Sequence, residues 1–180
     1  MNNPYLIESE RLGFRNWLKS DLKAIAAINA DPKVMEFFPK TLSTEESASF
    51  LKRFQDHYTK HGYTYFAVEL LSTGELIGFI GLAFQEYEAP FNPATDIGWR
   101  LKPSAWGQGY ATEGAKRCLE LAFSKWGLKE VISVCTVNNR SSEKVMQKLG
   151  MEKQGGFKHP ALKDYPHLED CIWYKILTPS

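Results

Sequence analysis

The sequence predicts an α/β fold: a mixed sheet with flanking helices, one domain over residues 1–180. Three features carry that expectation. The hydrophobic repeat is helical over residues 20–58, strand-like over residues 65–101, and then helical again. The run EVISVCTV, residues 130–137, is apolar on both faces and β-branched, as a strand buried between helices should be. Between the strand-like region and the next helix lies WGQGY, residues 106–110, with two glycines one residue apart. The resulting order is β, helices, then β-β-β-α-β-α-β.

Each element follows in turn. RLGFRNW, residues 11–17, alternates as a first strand. Ser20 is placed to cap a helix with Leu22, Ile25 and Ala26 inward. Asp31-Pro32 has the cap-then-proline order, which extends helix through KVMEFF. Ser43 and Glu46 have capping-box spacing, and Leu51, Phe54 and Tyr58 follow at helical intervals. YFAVELL and ELIGFIGLAF, joined by the turn STG, form a hairpin. TDIGWRL is a short strand leading into the glycine turn. The stripe Ala111, Ala115, Cys118, Leu119, Ala122 and Phe123 marks the following helix. Asn139 caps a last helix carrying Ser142, Val145, Met146 and Leu149 on one side and ended by Gly150. CIWYKIL closes the sheet, and residues 152–170, with two glycines and two prolines, read as a long loop.

Composition narrows the function classes. A net charge of +1 gives no basic field for nucleic acid or an anionic membrane. No apolar run approaches a membrane span, and the first residues lack a signal-peptide pattern. Three separated cysteines, Cys118, Cys135 and Cys171, suit reduced thiols in a cytoplasmic protein better than a disulfide framework. His57 and His61 lie four apart but without the glutamate of a zinc-protease helix, and His159 and His167 have no evident ligand partners, so no metal site is expected.

The glycine turn sets the chemistry. A helix begins with backbone N–H groups that have no internal partner, and its dipole favours an anion there. No Lys-Ser/Thr pair follows, which excludes a nucleotide-hydrolase phosphate loop. The third glycine of a dinucleotide fingerprint would fall at Thr112, and the next strand ends at Val137-Asn138 without an acidic residue. A pyrophosphate other than that of NAD or ATP fits; a ligand-free connector is the bland alternative.

IGWRLKPSAWGQGYATEGAKRCLELAF followed by VNNRSSEKVMQKLGM resembles the GNAT superfamily of acetyl-CoA-dependent N-acetyltransferases, in particular its RimJ/RimL-like branch. The resemblance runs from ERLGFRNW to CIWYKI. It implies a GNAT fold, with a mostly antiparallel sheet of about seven strands. In the family's loop pattern Trp106 stands where a Gln or Arg is usual, Gly109 is the central glycine and Ala111 the small residue. The resemblance makes Gly107, Gln108, Gly109, Tyr110, Ala111 and Thr112 the pyrophosphate loop of acetyl-CoA. It implies that the backbone near Leu101 holds the pantetheine arm and could polarise the thioester, with Asn139 and Ser142 as further contacts.

Acetyl transfer from a thioester to an amine needs a neutral amine near the carbonyl carbon and a donor for the developing oxyanion. Asp96, on the strand feeding the turn, is the candidate base; Glu86, Glu88 and water alone are competitors. Where many relatives carry a tyrosine as general acid, this chain has Met146, whose thioether donates no proton. The resemblance to the RimL-like branch offers Ser142, one turn earlier. The alternative is a thiolate that leaves unaided, with Ser142 only a cofactor or helix contact. The acceptor is a primary amine, either a protein N-terminus as in RimJ/RimL-like proteins or a small molecule. A non-catalytic acyl-CoA sensor is the alternative. Phe14, Trp17, Phe37 and Phe38 are candidates to line an acceptor cleft, or core; residues 152–170 and MEFFP are expected to shape its mouth. No nucleic acid or membrane partner is expected, and the chain is expected to be a monomer or homodimer.

Overall fold

The computed structural model describes residues 3–179. Eight strands form one sheet: β1 (Ile7–Glu8), β2 (Leu12–Arg15), β3 (Tyr65–Leu70), β4 (Leu76–Gln85), β5 (Ala94–Leu101), β6 (Glu130–Thr136), β7 (Glu152–Lys158) and β8 (Asp170–Leu177). Their spatial order is β1-β2-β3-β4-β5-β6-β8-β7, antiparallel at every junction except β5–β6. Helices α1 (Leu22–Asn29) and α2 (Thr44–His61) cover one face. Helices α3 (Tyr110–Ser124) and α4 (Arg140–Lys148) cover the other.

The helical stripes explain the layering. Ala115, Cys118, Leu119 and Ala122 of α3 are buried against Phe14, Phe66, Ile80 and Ile97 of the sheet. Gly114 sets how close the helix comes, since a Cβ there would lie 2.5 Å from Ile80 Cδ1 and 3.1 Å from Phe14 Cζ. On the opposite face Trp17, Ile25, Phe50, Leu51 and Phe79 form a second core. Arg100 of β5 is buried in it, donating to Asn29 Oδ1 at 2.8 Å with its guanidinium 4.2 Å from the centre of the Phe38 ring.

Several expectations change. The sheet has eight strands rather than about seven. β7 occupies part of the expected 152–170 loop; it is an edge strand, mostly exposed and glycine-interrupted, and so shows no alternation. KVMEFF is a series of turns rather than helix. The Asp31 side chain accepts from Lys33 N–H at 2.8 Å, and Pro39 leaves no length for regular helix. Ser20 does not cap α1. It lies within a short 3₁₀ turn, Lys19–Asp21, and the Asp21 carboxylate that could cap instead accepts from Leu18 N–H and from both Nη atoms of Arg15. The Ser43–Glu46 capping box and the Asn139 cap form as expected. Among the described residues no helix is long and apolar enough to cross a membrane.

Candidate active site

The parallel junction is where the sheet opens. β5 and β6 hold register at a single pair, Asp96 with Ile132, although both strands run on beyond it. Beside that pair the Ser133 hydroxyl donates to the Ile97 carbonyl at 2.9 Å. At the far end of β5, Lys102 N–H donates to the Ile77 carbonyl at 2.9 Å. Antiparallel pairs alternate, so Trp99 and Leu101, opposite Ile80 and Gly78, turn their peptide groups away from β4 and into the gap before β6. The Leu101 carbonyl already accepts from Trp106 Nε1 at 2.7 Å, which leaves its N–H for a ligand. Trp106 thus uses its indole N–H on the backbone of β5, while its side chain remains exposed.

The glycine turn lies at the mouth of this gap. Gly107 and Gly109 adopt φ of 73° and 82°, the left-handed region that disfavours other residues. A Cβ on Gly107 would meet nothing, and one on Gly109 only Arg11 Nη2 at 3.5 Å. The glycines are thus required by conformation, and not by contact with the protein itself. The first helical bond of α3 runs from Glu113 N–H to the Gly109 carbonyl. The six amides from Gly107 to Thr112 have no acceptor among the described residues. Arg11 adds a cation. Its Nε bonds Glu113 at 2.7 Å, its guanidinium lies 4.5 Å from the centre of the Tyr110 ring, and its Nη atoms carry no acceptor among the described residues. Sequence reading missed Arg11, whose link to Glu113 spans about a hundred residues of chain.

Asp96 sits where the gap closes. It lies five residue steps along the strand from Leu101, roughly 17 Å at strand rise. It is partly buried, and its Oδ1 accepts from the Tyr65 hydroxyl at 2.5 Å and its Oδ2 from Gln85 Nε2 at 3.1 Å. Burial raises the carboxyl to about 7, against the pull of those two donors. Burial and the neighbouring Asp96 charge keep the Tyr65 phenol protonated, so Tyr65 is the donor. The Tyr87 phenol is close enough to be raised by the same charge, after burial. Glu86 and Glu88, the competing carboxylates, are exposed on the β4–β5 loop.

Across the gap, Asn139 uses its side-chain oxygen to accept the Ser142 amide at 3.1 Å. The Ser142 hydroxyl is partly accessible and has no protein partner among the described residues. Met146 is fully buried in the core and cannot reach a ligand. Cys135 places its sulfur 3.8 Å from the Asn139 carbonyl; it, Cys118 and Cys171 are buried free thiols.

Other candidates fall away. His57 accepts from Phe84 N–H through Nε2 at 2.9 Å and so donates through Nδ1 to the Tyr63 carbonyl at 2.8 Å. Among the described residues no group of three or more His, Cys, Asp or Glu is disposed to hold a metal ion. Phe14 is fully buried and Trp17 nearly so, which makes both core. Phe37 is partly exposed, and Phe38 is exposed beside Arg100. Instead a different aromatic group gathers around Tyr87, the ring that feels the Asp96 charge: Phe91, Phe157, His159 and Trp173, all partly exposed.

Residues 11–152 match the model of the acetyltransferase (GNAT) domain. The uncharacterized N-acetyltransferase YnaD of Bacillus subtilis is 34% identical over 153 residues, covering 84% of this chain and 85% of its own. A GNAT-family acetyltransferase structure from Bacillus anthracis superposes with a TM-score of 0.78 at 29% identity, over 96% of this chain and 98% of its own. The structure described as RimL, ribosomal L7/L12 alpha-N-protein acetyltransferase in complex with coenzyme A, superposes with a TM-score of 0.73 at 22% identity, over 94% of this chain and 95% of its own. The architecture described above is the GNAT fold, with eight strands here.

Proposed function

We propose that this chain, which belongs to the GNAT acetyltransferase family and is an acyltransferase, carries acetyl from acetyl-CoA directly to a primary amine. The observation that supports this most is the gap between β5 and β6, with a run of six free amides and Arg11 at one end and Asp96 at the other. The amides and the α3 dipole suit a pyrophosphate, which meets donors there without needing a particular side chain at Trp106. That the RimL structure holds coenzyme A agrees with the same ligand here. The free peptide groups of Trp99 and the free N–H of Leu101 suit the amide-rich pantetheine arm.

Acetyl-CoA supplies an activated acyl group. Asp96, at about 7, is roughly a thousandfold more basic than an ordinary carboxylate near 4. It takes the amine proton as the C–N bond forms and the C–S bond breaks. Ser142 donates its hydroxyl proton to the departing thiolate. Exchange with water restores both groups, and N-acetylamine and free CoA leave. Asn139 orients Ser142 by fixing the helix start.

The chain acts as one acetyltransferase domain, consistent with its continuous sheet. Its three buried free thiols suit the reducing cytoplasm. The RimJ/RimL-like branch is supported by the RimL neighbour and by the ERLGFRNW start, and it suggests a protein N-terminus among the acceptors. Thermal melting tests the cofactor: acetyl-CoA at 100 times its dissociation constant adds about 2.7 kcal/mol and raises Tm measurably. No shift with acetyl-CoA and a clear one with NAD would overturn the proposal.

A further inference from the structure

Around Asp96 the side chains differ in kind from those at the cofactor end. The β4–β5 loop brings Tyr87 and Phe91 toward β7 and β8. Phe91 lies 4.8 Å from Trp173 and 5.1 Å from Phe157 between ring centres, and Tyr87 lies 4.6 Å from His159. Val134 pairs with Trp173, and Phe157 with Cys171, so Trp173 and Phe157 project from the same face of the sheet, the one away from α3 and α4. That is also the face of Asp96 and Tyr65. The five rings are partly exposed, which a core cluster would not be.

Glu169 and Asp170, next to the cluster, share the single cation of Lys158. Asp96 has no cationic partner among the described residues; its bonds come from a phenol and an amide. Asp96 is the carboxylate at the closed end of the gap, with aromatic surface on its side of the sheet and Glu86 and Glu88 at exposed positions of the loop.

We infer that the acceptor is a primary amine whose body is apolar or aromatic, seated on Phe91, Trp173 and Phe157 with its nitrogen at Asp96. This rests on the acetyl-transfer function proposed above and narrows its substrate. Ring faces attract both aromatic groups and the ammonium as it enters. The same chemistry is offered by a small arylalkylamine and by a peptide whose first residue is phenylalanine or leucine.

The test is a steady-state panel with the full chain and acetyl-CoA: 2-phenylethylamine, a peptide starting with phenylalanine, the same peptide starting with glycine, ethanolamine and spermidine. The expected result is a kcat/KM at least about tenfold higher for the aromatic amine, or for the phenylalanine peptide over the glycine peptide, than for ethanolamine and spermidine. Which of the two aromatic acceptors leads separates a small-molecule from a peptide source. Phe91→Ala should raise KM for the favoured acceptor about tenfold with a smaller change in kcat, and Phe91→Leu should restore most of it. A flat panel, a preference for spermidine, or an unchanged KM in Phe91→Ala, whatever its oligomeric state by sedimentation, would overturn the inference while leaving acetyl transfer intact. No turnover on any amine, with no Tm shift by acetyl-CoA, would overturn the transferase proposal and this inference together.

Discussion

The Tyr65 hydroxyl reaches Oδ1 of Asp96 at 2.5 Å by passing over Gly98, where a Cβ would lie 3.1 Å from the Tyr65 ring. Tyr65 stands on β3 and Asp96 on β5, with β4 between them, and the register Tyr65–Gly81–Gly98 puts two glycines where the ring crosses. Burial raises the Asp96 carboxyl to about 7, while the phenol donor holds it down. As a base Asp96 acts when ionised, so kcat/KM should rise through pH 7 and level above it. Tyr65→Phe removes a donor to the charged form, and the rising limb should move to higher pH. A limb that stays fixed would separate Asp96 from proton removal.

The same shift has a stability consequence. The folded carboxyl lies above its unfolded value near 4, so between about pH 4 and pH 7 the folded chain holds the extra proton. Stability contributed by Asp96 is therefore full below pH 4 and lost as pH rises through 7. Asp96→Asn should melt no lower than the parent at pH 8 while losing about a hundredfold in turnover. A variant that loses stability and activity together at pH 8 would assign Asp96 a structural role.

At the cofactor end, Thr112→Glu adds a negative charge among the six free amides. An acidic residue in the first helical turn is favourable for the helix, so folding should be unharmed. Acetyl-CoA affinity should fall at least about tenfold by calorimetry, through repulsion of the pyrophosphate. This is a cleaner probe than a branched residue at Gly109, whose φ of 82° would strain any substitution. Unchanged affinity would make the glycine turn a connector only.

Ser142 tests the acid. Its amide is already used by Asn139, but its hydroxyl has no protein partner among the described residues. Ser142→Ala should lower kcat about tenfold or more with a smaller change in acetyl-CoA affinity. Normal turnover with weakened binding would leave it as a cofactor contact and the thiolate departing unaided.

Gly114→Ala tests the packing that aims α3. The new methyl would meet Ile80 and Phe14 at 2.5 and 3.1 Å, overpacking the helix on the sheet. A loss of about 1–3 kcal/mol is expected in denaturant melts. A neutral result would show that α3 does not set the position of the glycine turn.

What could be read from the sequence was what is local. Ser43 with Glu46, Asn139 with Ser142, and the glycine turn lie within a few residues of their partners, and each formed. The Tyr65–Asp96 and Arg11–Glu113 pairs span 31 and 102 residues, and nothing near either partner signals them. The wall formed by Phe91, Phe157 and Trp173 comes from three elements that meet only once the sheet is ordered. β7 escaped notice because an exposed edge strand carries no buried face to enforce alternation. The KVMEFF segment shows the opposite error: helical cues between Pro32 and Pro39 were real but too short to close a helix.

Product analysis tests the central claim most directly. The full chain is incubated with acetyl-CoA and the preferred amine, free thiol is titrated, and the amine is weighed by mass spectrometry. Direct transfer gives one N-acetylamine for each CoA released, with no acetyl group on the protein. Tight acetyl-CoA binding without acetylated amine on any acceptor would make the chain a sensor of acyl-CoA, and would contradict transfer between the β5–β6 gap and Asp96.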